Sequence, residues 1–230
     1  MNEKNFQLKT AGFSLLELIV AVVVLGVLAS VSSVLYLGLL SKDGGVQVTD
    51  AKLKSLSGSV IAFVKTHHRL PCPDNTGNGY EALNAGVCTS GVQVGWLPYV
   101  SMGLSPPSDN ERAIYGVYRS TGADLAVSTT VSILTGAASA VTSSNIIYMT
   151  GDGTTTKGSE DCVNTISSNP AYIILAPGED RDGNASNVDG VNQGLPSGRC
   201  FSSPSRGVNN TFDDRTISVS LFALLAELNK

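Results

Sequence analysis

Histidine is scarce in this sequence, and the two that occur, His67 and His68, are adjacent. General acid–base catalysis most often relies on a histidine set beside a nucleophile or a second titratable group. The sequence has no nucleophile-elbow motif, no zincin motif and no paired-carboxylate signature to accompany these histidines. We therefore expect no catalytic residues and interpret the chain as a protein that is not an enzyme.

Charged residues are also few, at 15% of the chain, and acidic residues outnumber basic ones to give a net charge of −4. A chain of this sign has little general attraction for the phosphates of nucleic acid. Aromatic residues make up only 6% of the sequence, while hydrophobic residues as a whole reach 42%. This composition is typical of a β-rich domain built from small and β-branched residues, with no nucleic-acid partner.

One long segment lacks charge entirely, since the 23 residues from Leu18 to Leu40 include no acid and no base. About 20 apolar residues suffice for a helix to cross a bilayer. Lys4 and Lys9 precede the segment, and the positive-inside tendency places them in the cytoplasm. The sequence thus predicts a single-pass protein of the inner (cytoplasmic) membrane, with residues 41–230 as a globular head in the periplasm or outside the cell.

A single carboxylate, Glu17, stands immediately before the uncharged segment. An acid in the apolar layer of a membrane costs a few kcal/mol, roughly 2.5–3.5 on insertion scales, and such residues are usually functional. A cation in contact with the carboxylate offsets that cost. The alternative is an ordinary signal-anchor helix in which Glu17 has no role.

The residues around this acid resemble a known signal. A leader that ends in Gly12 and continues as Phe-Ser-Leu-Leu-Glu17 looks like the type III signal of type IV prepilins and of type II secretion pseudopilins. The resemblance implies that prepilin peptidase removes residues 1–12 by cutting between Gly12 and Phe13, and that Phe13 is then N-methylated. It also implies that residues 13–40 form a transmembrane helix that becomes the core of a fibre, where Glu17 meets the amine of a neighbouring subunit and sets the register.

Many major pilins carry a proline near the middle of this helix, where this chain has Val34, whereas Gly26 matches the small residue common in the family. The missing proline favours a minor pilin or a pseudopilin. The implied partners are other pilins or pseudopilins, the prepilin peptidase and an inner-membrane assembly platform. The rival interpretation is a single-pass, membrane-anchored ligand-binding protein that never polymerises.

All four cysteines follow the apolar segment, on the side where disulfides persist. Four cysteines allow three pairings, and we favour the sequence-local one, Cys72–Cys88 with Cys162–Cys200. The alternative is a zinc site that joins the cysteines to His67 or His68. It is disfavoured because the sequence lacks C-x-x-C and H-x-x-x-H spacing.

Apolar residues after the membrane segment recur at three- and four-residue spacing, which predicts an amphipathic helix from about Gln47 to His67. Two prolines, Pro71 and Pro73, prevent its continuation. Beyond them, short β-like runs separated by turn-forming residues predict an antiparallel sheet. The runs are Ala113–Arg119, Leu125–Leu134, Asn145–Thr150, Ala171–Ala176 and Thr216–Leu221. The expected fold class is α+β, a long N-terminal helix packed on an antiparallel sheet, which resembles the pilin arrangement.

Other segments complete the predicted head. Arg69–Leu104 is similar to a segment of some pilin-like proteins, and we expect an irregular loop stapled by Cys72–Cys88 that serves as scaffold or, less favoured, as a recognition surface. Gly136–Ser144 is predicted to be a polar loop, and Leu221–Leu228 a short helix. Phe212-Asp213-Asp214 looks like the C-terminal end of pseudopilin heads.

Acidic and amide side chains alternate in one loop, where Asp180, Asp182, Asn184 and Asp189 offer hard oxygen ligands. Calcium binds six to eight such oxygens, and some pseudopilins hold calcium in a C-terminal loop. The loop lacks the closing glutamate of an EF-hand, and residues of these types are also ordinary turn formers. We therefore keep calcium as the one candidate cofactor, with a plain turn as the alternative.

Overall fold

A computed structural model describes residues 19–20, 22–24, 49–120, 122–139, 148–150, 165–168, 170–183 and 185–230. The chain divides into two compact units, Met1–Gly45 and Val46–Lys230. In the first unit the described residues, 19–20 and 22–24, are helical and exposed. Among the described residues, no helix has both the length and the apolar character needed to cross a bilayer. Most of the predicted span, residues 13–40, lies outside them.

The second unit begins with helix α1, residues 49–67. Its buried side chains fall on one face at three- and four-residue spacing, and they are Leu53, Leu56, Val60, Phe63 and Val64. The helix ends at His68, which adopts a left-handed φ of 54° while its N–H still bonds to the Val64 carbonyl. The predicted amphipathic helix is thereby confirmed.

The main sheet has four antiparallel strands, β3 (Val94–Trp96), β4 (Ile114–Val117), β9 (Tyr172–Ala176) and β11 (Arg215–Val219). Their order across the sheet is β11-β9-β4-β3. Every residue of β4 and β9 is buried, because both faces of the sheet are covered. Their apolar runs, with no polar alternation, reflect that two-sided burial.

Alternate strand residues enter two different cores, as the period of a strand requires. The face toward α1 forms the larger cluster, which includes Leu53, Leu56, Val60, Val64, Tyr115, Val117, Tyr172 and Ile174. The opposite face packs on a second cluster made by Ile114, Ile173, Leu175, Val188, Leu195 and Phe201. Val188, Leu195 and Phe201 of this cluster belong to the long connection between β9 and β11. That connection is therefore part of the core.

Smaller strand pairs complete the head. Two are hairpins, β1 (Leu83–Asn84) with β2 (Val87–Cys88), and β5 (Arg119–Ser120) with β6 (Ala123–Asp124). A three-stranded sheet has the order β10-β7-β8, from Cys200–Ser202, Tyr148–Thr150 and Thr165–Ser168. In it β10 runs parallel to β7. The predicted antiparallel sheet is confirmed in the main sheet, but this pair departs from it, because a long connection lets β10 return in the same direction.

The prediction of a strand at Leu125–Leu134 is also wrong. Residues 125–130 form turns and irregular chain, and Val131–Ser139 is helix α2, which extends into the predicted loop Gly136–Ser144. The β-branched residues favoured a strand by propensity, but tertiary packing overrides propensity here. Leu134 is 2% exposed, and α2 packs against the C-terminal helix. A helix places Ile133 and Leu134 on that buried side.

Two further outcomes concern the C-terminus and the loop after α1. Helix α3 spans Leu221–Leu228 as predicted, and the Ser220 side chain caps it by accepting the N–H of Ala223. The segment Arg69–Leu104 is more ordered than predicted, since it contains β1, β2 and β3. Strand β3 joins the main sheet because its residues pair with β4 from Val94↔Gly116 to Trp96↔Ile114.

Candidate functional site

The loop after α1 is held by a disulfide between Cys72 and Cys88, whose Cα atoms are 5.6 Å apart. This is the first of the two predicted sequence-local pairs. The bond joins the chain just beyond α1 to strand β2, and both cysteines are buried. The second predicted pair stays a prediction because Cys162 lies outside the described residues.

A buried carboxylate organises the same loop. Asp74 is 1% exposed, and its oxygens accept the N–H groups of Thr76 (2.8 Å), Gly77 (2.8 Å) and Gly79 (2.6 Å). The hydroxyl of Thr76 donates to Asp74 as well, at 3.0 Å. Asp74 also pairs with Trp96 through its backbone. A charged acceptor thus supplies hydrogen bonds that a tight, glycine-rich loop cannot make with itself.

The close approach of the backbone at Asp74 explains why position 95 is a glycine. A Cβ atom on Gly95 of β3 would lie 2.4 Å from the Asp74 carbonyl oxygen. Real Cβ atoms do not approach backbone so closely, so no residue with a side chain fits at position 95 without moving the loop. The sheet edge and the stapled loop are consequently one structural unit.

An ion pair between Arg69, just beyond α1, and Glu81 closes the loop. The guanidinium of Arg69 meets Glu81 through two bonds, Nη1 to Oε1 at 2.5 Å and Nη2 to Oε2 at 2.9 Å, and the Cys72 N–H donates to the same carboxylate. The bond to Glu81 raises the pKa of Arg69 above its ordinary value. Since the charges of Arg69, Asp74 and Glu81 are satisfied internally, the geometry favours scaffold over a recognition surface.

The predicted calcium loop forms an acidic cluster. Carboxylate oxygens of Asp180, Asp182 and Asp189 lie within 4.8 Å of one another. Asp180 accepts the N–H groups of Gly183 and Ala185, both at 2.9 Å. One oxygen of Asp182 accepts the Gly190 N–H at 3.2 Å and the side-chain amide of Gln193. The other Asp182 oxygen is buried and has no partner among the described residues.

Asp189 links this cluster to a second one. Its oxygens also lie within 4.8 Å of those of Asp213 and Asp214, and it accepts the N–H groups of Arg181 (3.2 Å) and Asp213 (3.1 Å). Burial raises the pKa of Asp189 above its ordinary value, in spite of these donors. Arg181 forms an ion pair with Asp213 at 2.6 Å. Five carboxylates therefore share one region in which Arg181 neutralises only part of the charge.

Asp214, like Asp189, is almost fully buried, at 2% exposed. It accepts the side-chain N–H of Asn192 (2.8 Å) and the backbone N–H groups of Asp189 (2.8 Å) and Gly178 (3.0 Å). Burial raises its pKa to about 7, although these three donors act in the opposite direction. The side-chain amide oxygen of Asn192 in turn accepts the Ser202 N–H at 2.9 Å, which ties the cluster to β10.

The structure thus brings together three of the four predicted ligands, Asp180, Asp182 and Asp189, while Asn184 lies outside the described residues. It adds Asp213 and Asp214, which sequence reasoning missed as members of the cluster. They lie more than twenty residues downstream of Asp189, at the entrance to β11. The only signal in the sequence was the run Phe212-Asp213-Asp214, two adjacent acids before an apolar strand.

The two histidines lie at the C-terminal end of α1. The ring of His67 stacks on Phe63 with centroids 4.0 Å apart, and its Nδ1 lies 3.0 Å from the Phe63 carbonyl oxygen. His68 ends α1 with its left-handed φ. Neither histidine lies in a cluster of metal-ligating side chains within the part of the chain that the structure describes.

The N-terminal motif was compared with protein families. The model of the prokaryotic N-terminal methylation motif matches residues 8–33, the region that contains the Gly12–Phe13 junction and Glu17. The chain carries a prepilin signal. Such a motif is carried by type IV pilins and pseudopilins, and here the match spans only the N-terminal part of the chain. No curated protein and no solved structure matches the chain. The predicted residues of this prepilin signal, Gly12, Phe13 and Glu17, lie outside the described residues.

Proposed function

We propose that this protein is a pilin-like structural subunit, a minor pilin or a pseudopilin, of a type IV pilus or a type II secretion pseudopilus. The observation that carries the proposal is the methylation motif at residues 8–33. In this proposal prepilin peptidase cuts between Gly12 and Phe13, and Phe13 is N-methylated. Residues 13–40 first anchor the protein in the inner membrane and then pack in the core of the fibre.

The physical basis of assembly is charge pairing in an apolar layer. Cleavage creates a cationic amine on Phe13, four residues from Glu17. Both charges are costly in hydrocarbon unless they are paired. Pairing the Glu17 carboxylate with the amine of a neighbouring subunit removes both costs and fixes the relative position of the two helices. The same interaction therefore favours extraction from the membrane and correct register.

The packing of helix α1 on the main sheet of the head supports this role. Helix α1 is fixed to the sheet by apolar packing and by an ion pair in which Arg215 Nε of β11 lies 3.0 Å from Asp50 Oδ1. The stapled loop follows directly after α1 and is tied together by the Cys72–Cys88 disulfide. Such a head suits a subunit that presents a rigid surface outward, with other pilins or pseudopilins, the peptidase and the assembly platform as partners.

The proposal is tested by the N-terminus of the native protein. Mass spectrometry of purified native material is expected to find a chain that begins with N-methylated Phe13. In a Gly12→Val variant the leader should remain, because the bulkier side chain stands at the scissile bond, whereas Gly26→Ala within the same segment should still be processed. Native protein that begins only at Met1 would support the non-polymerising, membrane-anchored alternative.

We further propose that the acidic cluster binds calcium through Asp180, Asp182 and Asp189. The support is the chemistry of the donors: three carboxylates with oxygens within 4.8 Å, one buried Asp182 oxygen without a partner among the described residues, and Asp213 and Asp214 adjacent. Calcium takes hard oxygen ligands of this type. A bound divalent cation would offset the mutual repulsion of these acids and join the 180–189 loop to the entrance of β11.

Chelation tests this site. Calcium should raise the melting temperature of the detergent-solubilised full-length protein. At a calcium concentration a hundredfold above the dissociation constant, the free energy of unfolding should rise by about 2.7 kcal/mol. Asp182→Asn should remove the shift. Glu179→Gln should keep it, because Glu179 is an exposed neighbour whose carboxylate is outside both clusters. Identical unfolding with calcium and with chelator would mean that the loop is a plain turn.

A further inference from the structure

A turn at the surface of the head carries a motif that the proposed function does not use. Residues 209–211 read Asn-Asn-Thr, which has the form Asn-x-Thr with no proline at the middle position. This triplet is the acceptor pattern for N-glycosylation, and it acts when it is exposed in a protein outside the cytoplasm. A triplet alone is common by chance, so its structural setting decides whether it can serve.

The setting is an exposed two-residue turn between the connection from β10 and strand β11. The Asn209 N–H bonds to the Phe212 carbonyl at 2.8 Å, and the two residues form a β-bridge, so that Asn210 and Thr211 occupy the tip. Asn209, Asn210 and Thr211 are all exposed. The turn is fixed from below, because Phe212 is buried and the Arg181 side chain donates to the Asn209 carbonyl at 3.1 Å.

The side chains within the triplet are already arranged for the chemistry. The carboxamide oxygen of Asn209 accepts both the N–H of Thr211 at 2.9 Å and its hydroxyl at 3.1 Å. The hydroxyl is the group that separates Asn-x-Thr from other triplets, and here it contacts the acceptor amide directly. The amide nitrogen, Nδ2, has no hydrogen-bond partner among the described residues. It is therefore open to an incoming donor.

We infer that Asn209 is an N-glycosylation acceptor, modified by a glycan carried on a membrane polyprenyl diphosphate. Nδ2 attacks the anomeric carbon of the glycan, the bond from that carbon to the diphosphate oxygen breaks, and the polyprenyl diphosphate leaves. The amide loses one proton, and no oxidant or reductant is needed. The inference rests on the proposed function in one respect, since the head must lie outside the cytoplasm where such donors present their glycans.

The chain contains an internal comparison. The only other triplet of this form is Asn184-Ala185-Ser186, which falls in the acidic loop. Trypsin separates the two, because Arg181, Arg199, Arg206 and Arg215 place Asn184 in peptide 182–199 and Asn209 in peptide 207–215. Each acceptor can therefore be read independently in one digest of the native protein.

The experiment is peptide mapping of full-length protein purified from its native host. Peptide 207–215 is expected to carry a glycan mass that electron-transfer fragmentation places on Asn209. Asn209→Gln and Thr211→Ala should both lose it, while Asn210→Gln, which preserves the triplet, should retain it. Thr211→Ser should also retain modification, since the hydroxyl remains. Circular dichroism of each variant checks that these substitutions at exposed positions leave the fold unchanged.

Several outcomes would overturn the inference: an entirely unmodified peptide 207–215, a glycan on Thr211 instead of Asn209, or a glycan found only on peptide 182–199. The same digest reports the N-terminus. A chain processed to Phe13 but unmodified at Asn209 defeats the inference and leaves the proposed function standing. A chain that begins at Met1 but carries the glycan on Asn209 does the reverse.

Discussion

Replacing Glu17 by alanine is expected to leave cleavage between Gly12 and Phe13 intact and to remove the protein from the fibre. The variant helix is more apolar and still enters the membrane, but it has no carboxylate to meet the amine of a neighbouring subunit. Losing one partner of a buried charge pair costs about 3–5 kcal/mol. Since each 1.4 kcal/mol is roughly tenfold in an equilibrium, incorporation should fall on the order of a hundredfold or more.

The measurement is the amount of processed protein in sheared fibres relative to the amount in the membrane. Glu17→Gln keeps the size of the side chain and should fail in the same way, because it lacks the charge. Glu3→Ala is the matched control: Glu3 lies in the leader, so its carboxylate is removed before assembly. Normal incorporation of Glu17→Ala would remove the register role from this residue.

The Asp74→Ala variant is expected to be the most destabilising substitution in the stapled loop. The change leaves the N–H groups of Gly77 and Gly79, both buried, without their acceptor. Each such group costs about 1–3 kcal/mol, so the free energy of unfolding should fall by about 3 kcal/mol. For a protein of this size that corresponds to a loss of roughly 6–12 °C in melting temperature. Urea or thermal unfolding of the full-length protein in detergent measures it.

A second aspartate, Asp109, tests whether the burial of Asp74 is the cause of the expected loss of stability. Asp109 forms an ion pair with Arg112 at 2.8 Å, but its side chain is 84% exposed. Because exposed ion pairs contribute little, Asp109→Ala should change stability by less than about 0.5 kcal/mol. The loss of stability in Asp74→Asn should fall between the losses in Asp74→Ala and Asp109→Ala, since one side-chain oxygen remains. Equal losses in Asp74→Ala and Asp109→Ala would contradict the assignment of Asp74 as the organising residue of the loop.

The elements that sequence reasoning predicted correctly are those with a strong local pattern. Helix α1 has apolar residues at helical spacing and prolines beyond its end, and β9 is an apolar run in a chain of turn formers. The error at Leu125–Leu134 came from the opposite situation. A run rich in valine and threonine has no period of its own, so packing of Leu134 beside α3 selected a helix.

The acidic cluster, too, could be predicted only in part from the sequence. Asp180 and Asp182 are close in sequence, and their alternation suggested a ligand loop. Asp213 and Asp214 join them only because the connection between β9 and β11 folds back under the sheet. Nothing in the spacing of residues so far apart predicts that their carboxylates meet.

The sequence by itself determined the prepilin signal at residues 8–33, because such a signal is a local string: a glycine, a phenylalanine, an acid and an apolar run. Tertiary structure alone decided how the head is built around Asp74, how five acids converge near Asp189, and how Asn209 is displayed on a turn. These features depend on contacts between residues distant in the chain, and such contacts are set by packing and by the satisfaction of buried polar groups, which no short pattern encodes.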